Sequence, residues 1–251
     1  MSYKDIKGSW IDSAKDINYE NNILHCYLKT KKNKWLENKI KCDNNCIYTN
    51  NDGIMSCNNN KDIKVAILLT TCFAENSDKN KKKYYERSLN MWDKTKLPIF
   101  VVESSNYSFK KFKHLKTCST NILNEPSSTQ YEAKSILYAL DFFKEDLSSY
   151  THILKITGRY FLDIKKLLNN LPCVDLLLQH SYNNSIKWNN SEIFGFRINL
   201  KNEIFAPISK TGLFEHHIYK ISKNYSFFRF PPIRNIYKVR RGGDKKMLKF
   251  L

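Results

Sequence analysis

An arginine closes an apolar run in ILKITGRYFL, residues 153–162. A guanidinium is a fixed fork of donors suited to phosphate or carboxylate, and Gly158 just before Arg159 lets backbone come close to a ligand. Polar residues end the other apolar runs in the same way: Thr70 and Thr71, then Glu103, Ser104 and Ser105, then Thr157, Gly158 and Arg159. If these ends meet, they suit a diphosphate, with Glu103 on a ribose or a base. Each has a plainer alternative. Arg159 as an exposed strand end pairs with a carboxylate such as Asp163, and Glu103 caps the SSNYSF segment beyond it.

A second cluster lies in KWNNSEIFGFR, residues 187–197. Trp188 and Asn190 beside Glu192 suit a sugar, whose C–H face stacks on a ring while its hydroxyls need donors and acceptors. Glu192 is then a candidate general base, and Trp188, Asn190 and Arg197 are acceptor contacts, with Trp188 as plain core the competing reading. Tyr131 is a further candidate on the acceptor side. Near the end, Arg240, Arg241, Gly242, Gly243 and Asp244 form either a lid in which Arg241 and Asp244 reach a phosphate, or a basic tail.

Those residues need elements to position them. Residues 1–57 are polar and alternating, with strand patterns at 23–29 and 36–41 and a turn at Asn51, Asp52 and Gly53. A polar connector at 58–63 follows, and from 64 to 251 short apolar strands alternate with amphipathic helices. Strands are expected at 64–71, 97–105, 151–157, 173–179 and 191–198. One helix carries Tyr85, Leu89 and Trp92 on a face, another begins at Thr129, and a short one starts near 164 behind Asp163. Thr129 and Glu132 match a capping box, which accounts for Glu132 without chemistry. The alternation predicts an α/β, Rossmann-like, mainly parallel sheet with helices on both faces, its ligand site at the carboxyl ends of the strands.

The formal charge is +18, yet the excess is mostly lysine and only seven arginines occur. With its abundance of Asn, Ile and Tyr, this resembles codon usage in an AT-rich genome such as that of a large DNA virus. Nucleic acid is disfavoured as a partner, because no element interleaves arginine with stacking aromatics. The most apolar run, VAILLTTCFA at 65–74, is too short to span a bilayer. The seven cysteines include no CxxC pair, and Cys42, Cys46 and Cys57 lack a fourth ligand, so free thiols in a reducing cytoplasm are expected, a host cell's if the source is viral. No Walker loop, GxGxxG, HExxH or GxSxG occurs.

Residues 65–244 resemble a glycosyltransferase-like domain of the nucleotide-sugar, GT-A type. The likeness rests on LLTTC, LPIFVVESS, PSSTQYEAKSILYALDFF, HILKITGRYF, WNNSEIFGFR and RGGD in that order. It implies a nucleotide-sugar donor and a glycan acceptor. Many such transferases carry an Asp-x-Asp pair holding a divalent metal where this chain has KITGRY, so no metal is implied here. Lys155 and Arg159 are the residues placed to meet charge on the leaving nucleotide instead. Residues 1–57 resemble one repeat of a cyanovirin-N homology lectin in GSW, SAKDI, NNILHCYLK, Trp35 with Asn38, and CIYTNNDGI. That likeness implies sugar contacts at Asn51 and Asp52, with Ala14 and Leu28 standing where the family pairs cysteines. A lone repeat is small for a core of its own, so it either exchanges with a second copy in a homodimer or packs on the α/β part.

Overall fold

The computed structural model describes residues 3–42, 48–51, 53–57, 63–73, 79–108, 112–122, 125–162, 164, 168, 171–172, 174–179, 189–230, 234–238 and 248–250. Strands β1 (Ala14–Glu20), β2 (Ile23–Lys29) and β3 (Trp35–Lys41) form a meander, and β4 (Tyr48–Asn51) with β5 (Ile54–Cys57) a hairpin. Then come β6 (Val65–Thr71), α1 (Lys79–Asp93), β7 (Ile99–Glu103), β8 (Lys116–Ser119), α2 (Ser128–Phe142), α3 (Lys144–Leu147) and β9 (His152–Thr157). The chain continues through β10 (Leu176–Leu178), β11 (Ile193–Arg197), α4 (Lys201–Thr211), α5 (Phe214–Ile221) and β12 (Phe227–Arg229), with β13 (Arg234–Lys238) and β14 (Leu248–Phe250) paired apart.

Ten strands make one sheet in the order β1-β2-β3-β12-β10-β11-β9-β6-β7-β8. Counted from β6, its strands lie third, second, first, fourth, sixth, fifth, seventh. The first four positions follow the doubly wound plan, in which the crevice between strands one and four is the topological switch point and the place for a ligand. Here that crevice lies between the carboxyl ends of β6 and β9, which pair in parallel from Val65↔His152 to Thr70↔Thr157.

The expectation of a mainly parallel sheet needs correction. Four pairings are parallel and five antiparallel, because β11 enters against both its neighbours and the meander joins through β3 against β12. The meander is therefore neither a separate small sheet nor short of cover. Its inner residues Leu24, Cys26, Leu28 and Ile40 share one buried cluster with Ile67, Leu69, Trp92 and Phe228. The cover sought from a second copy is supplied by the same chain, and no cyanovirin-type domain with its own core stands apart. On the other side of the sheet, Ala66, Leu68 and Ile153 pack with Ile136 of α2, Phe205 of α4 and Ile218 of α5.

Helix α2 starts one residue earlier than Thr129. Ser127 is its cap, accepting from Gln130 N at 3.2 Å, so the capping box is Ser127 with Gln130. Near 164, Leu168 N donates to Ile164 O at 2.9 Å, while Asp163 lies outside the described residues. No helix among the described residues is long and apolar enough to cross a membrane.

Candidate functional site

The Thr157–Tyr160 turn is held on three sides. Tyr160 N donates to Thr157 O at 3.0 Å, Gly158 N to Thr70 O at 2.8 Å, and the buried Trp92 Nε1 to Tyr160 O at 2.8 Å. Gly158 is required here for a reason other than ligand approach. A Cβ on it would stand 2.5 Å from Thr71 Cγ2 and 2.9 Å from Thr70 O, so the missing side chain lets β6 close against the turn. The turn leaves Arg159 half-buried, its guanidinium 5.1 Å from the Tyr160 ring. Burial would lower its pKa, but Tyr160, Tyr85 and Glu192 around it raise it, so the charge is secure. Its Nε is buried and has no hydrogen-bond partner among the described residues.

Lys155 lies behind this turn rather than in it. Its side chain is 0% exposed, and Nζ stands 2.6 Å from Glu132 Oε1 and donates to Ser191 O at 2.7 Å. Thr70 Oγ1 donates to the same Glu132 oxygen at 2.7 Å. The alternation that puts 155 and 157 on one side of β9 thus carries Lys155 into the helix layer, where α2 delivers a counter-ion. The lysine positions β6, α2 and the segment before β11, and Arg159 is the cation left at the crevice. Freed from capping, Glu132 is what pairs it.

Glu103 is fully buried, and both its oxygens are taken. Oε1 accepts from Phe73 N at 2.8 Å and Ser105 Oγ at 2.6 Å, Oε2 from Ser105 N at 2.8 Å and Tyr107 N at 2.7 Å. It ties the loops after β6 and β7 together, stacking Phe73 on Tyr107 at 4.8 Å, instead of reaching for a ribose. Thr71 Oγ1 donates to Val102 O and Ser104 Oγ to Thr71 O, both at 3.1 Å, so these hydroxyls also serve the loops.

Glu192 is half-buried beside the turn because Thr157 N donates to its carbonyl at 2.8 Å. The segment before it is pinned from three elements: Ser191 Oγ donates to Glu215 Oε1 at 2.8 Å, Lys155 holds Ser191 O, and Arg229 Nη1 donates to Asn189 Oδ1 at 2.7 Å. Asn190 follows this path and is half-buried; Tyr131 lies half-buried in the first turn of α2 beside Glu132.

Arg197 does not join the crevice. Because β11 runs antiparallel, Arg197 pairs with His152 at the start of β9, about 17 Å from Thr157 at some 3.3 Å per residue, and its Nε lies 3.3 Å from Asp175 Oδ1. Asn51 is in β4, whose hairpin is held to β3 by Asn38, with Nδ2 donating to Gly53 O at 2.9 Å and Oδ1 accepting from Met55 N at 3.0 Å. Trp188, Asp52, Arg241 and Asp244 lie outside the described residues.

Sequence reasoning missed Arg229, Asn189, Gln179 and the role of Glu132. Arg229 had a usable signal, an arginine ending the apolar SFFRF as Arg159 ends its own run. Glu132 had the rival box Ser127 with Gln130. Where the glycosyltransferase likeness would put a metal-holding carboxylate pair, Thr157, Gly158 and Arg159 supply no carboxylate and do not fit a cation. Among the described residues no group of three or more His, Cys, Asp and Glu is arranged to hold a metal.

No protein-family model matches the chain, and no curated protein sequence matches it. Solved structures are similar over part of its length. One is a glycosyltransferase involved in the glycosylation of the major capsid of PBCV-1, at 9% identity and TM-score 0.41, over 66% of this chain and 81% of that one. Another is the glycosyltransferase GlyE of Streptococcus pneumoniae TIGR4, at 8% identity and TM-score 0.40, over 68% of this chain and 46% of that one. A third is A197 from STIV, at 10% identity and TM-score 0.38, over 73% of this chain and 93% of that one. Scores this low transfer no residue role to this chain.

Proposed function

We propose that this protein is a glycosyltransferase moving a sugar from a nucleotide-sugar donor to a glycan acceptor in the crevice between β6 and β9. The observation that carries the reading is Arg159: a charged fork at the topological switch point, with Nε buried and unmatched among the described residues, beside Glu192. A buried donor without an acceptor calls for a ligand that supplies one, and a diphosphate does. As the bond from the sugar's anomeric carbon to the diphosphate breaks, negative charge gathers on the leaving oxygen and Arg159 meets it. Glu192 takes the proton of the attacking acceptor hydroxyl. Tyr131, Asn190 and Trp188 belong to the acceptor side, Arg241 and Asp244 to the donor side, and no step passes through a metal. Residues 1–57 act as an appended carbohydrate-binding segment. That segment departs from the cyanovirin pattern at Ala14 and Leu28, which are direct cross-strand partners where the family pairs cysteines, so no disulfide is available there.

The test is a thermal-shift screen against UDP-, GDP- and CMP-sugars. One donor should raise the melting temperature, since a ligand held at 100 times its Kd stabilises by roughly 2.7 kcal/mol. Arg159→Ala should lose that shift and Glu192→Gln should keep it while releasing no nucleotide in the presence of acceptor. A shift retained by Arg159→Ala, or none with any donor, sinks the reading. A second reading, carbohydrate binding without turnover, is favoured by one fact: Glu103 and Glu132 are both committed to protein partners, so catalysis rests on Glu192 alone. Glycan binding with no donor shift would select it.

A further inference from the structure

A cleft of about 450 Å³ lies where the outer face of the meander meets α5, within the size range of small-molecule sites. Its walls are His25, Glu37 and Lys39 from the meander, Phe227 and Arg229 from β12, and Tyr219 from α5. Their chemistry is selective. Lys39 Nζ donates to Ser222 O at 2.8 Å and to Lys223 O, and Arg229 donates from Nε to Glu37 Oε2 at 2.7 Å and from Nη1 to Asn189 Oδ1 at 2.7 Å. Lys39 and Arg229 already have protein acceptors, the third cation, Lys223, is exposed with Nζ 5.2 Å over the Tyr219 ring, and carboxylates of Glu20 and Glu37 line the same space, so the cleft carries mixed charge rather than the excess of free cations that a phosphate calls for. What it offers is amides at Asn18 and Asn21, the Glu20 carboxylate and the half-buried Tyr219 ring, while His25 and Glu37 bond each other at 3.0 Å and Phe227 forms the floor at 6% exposure. Mixed donors and acceptors around an aromatic ring match a neutral ligand rich in hydroxyls with apolar C–H faces.

One wall of the cleft is tied to the segment that leads to the strand-end crevice. Arg229 forms its wall and reaches Asn189 and the Gln179 carbonyl, at 2.7 and 3.4 Å, on the segment that leads to Glu192. Beside it, the buried amide donors Asn189 Nδ2 and Gln179 Nε2 have no acceptor among the described residues. We infer that this cleft binds a neutral saccharide, the part of the acceptor glycan lying beyond the sugar that reacts at Glu192. The acceptor assignment rests on the transferase reading; the saccharide site itself does not. It is distinct from the position of Asn51, whose hairpin packs on the opposite face of the meander through Asn38.

The experiment is saturation-transfer NMR of the full chain with methyl glucoside, methyl galactoside, methyl mannoside, N-acetylglucosamine, lactose, maltose and cellobiose. At least one should bind, and Tyr219→Ala and a cleft-filling Asn18→Trp should each weaken it by about tenfold or more, with melting temperatures near that of the parent. Arg159→Ala should bind the same saccharide unchanged. Binding that survives both cleft variants, or no binding by the parent chain at millimolar saccharide, overturns the inference. Saccharide binding lost in the cleft variants, in a chain that shows no nucleotide-sugar shift, would leave the cleft standing and remove the transferase reading.

Discussion

In β6, β7 and β9 nearly every side chain is buried, whereas along β2 and β3 buried residues alternate with accessible ones. The difference decides where each half of the sheet can hold chemistry. Strands covered on both faces leave polar groups a place only at their ends, and a mid-strand charge such as Lys155 must bring its own counter-ion. An antiparallel meander with one free face can present His25, Glu37 and Lys39 from the middle of its strands. One region leaves room for polar chemistry only at a seam, and the other can spread it over a surface.

Substitutions can break that contrast. Lys155→Met takes the counter-ion from Glu132 beside the core and should cost about 3–5 kcal/mol, read as a fall in urea midpoint at constant m, with much of the loss recovered in Lys155→Met/Glu132→Leu. A loss under about 1 kcal/mol would mean that the strand tolerates a lone charge and that the contrast is false. On the open face, Glu37→Gln should cost about 1.5–3 kcal/mol at neutral pH, the scale of a hydrogen bond to a charged group.

The pH dependence sharpens the same point. Burial alone would raise the Glu37 pKa, but hydrogen bonds from His25 and Arg229 and the Arg229 charge bring it from 4.5 down to about 2. A depressed carboxylate stabilises the fold above its unfolded value, so this contribution is intact above about pH 4.5 and is lost as pH falls toward 2. Urea midpoints of the parent chain should drop through that window, and those of Glu37→Gln should drop less. Gly158→Ala forces β6 from the turn and should cost about 1–3 kcal/mol, again by urea midpoint. The smallest effect is expected on the surface, where Lys15 Nζ lies 4.7 Å over the Trp35 ring: Lys15→Ala should cost about 0.5–1 kcal/mol in the same assay.

Legibility followed the same division. The strands at β2, β3, β6, β7 and β9 were readable from apolar runs or alternation, and so was the meeting of the β6 and β9 ends at Thr70 and Thr157; that Glu192 joins them was not, because it follows from the antiparallel course of β11. β1 was not, because Asp16 sits at φ 51 and the register shifts between Lys15 and Asn18, which breaks the two-residue period. α4 was hidden by Pro207 inside it, and β8 by its four-residue length. Arg197 was misplaced because nothing in IFGFR states its strand direction; only the pairing with β9 does.

By itself, then, the sequence determined which segments are buried and where polar residues interrupt them, since periodicity and residue type are local properties. It could not decide which interruptions face a ligand and which serve the protein. Glu103, Glu132 and Lys155 look as available for chemistry as any other polar residue at a strand end until the tertiary structure assigns their partners. A hydrogen bond or ion pair between residues dozens of positions apart is set by how strands and helices pack, and that packing alone separates a binding group from a structural one.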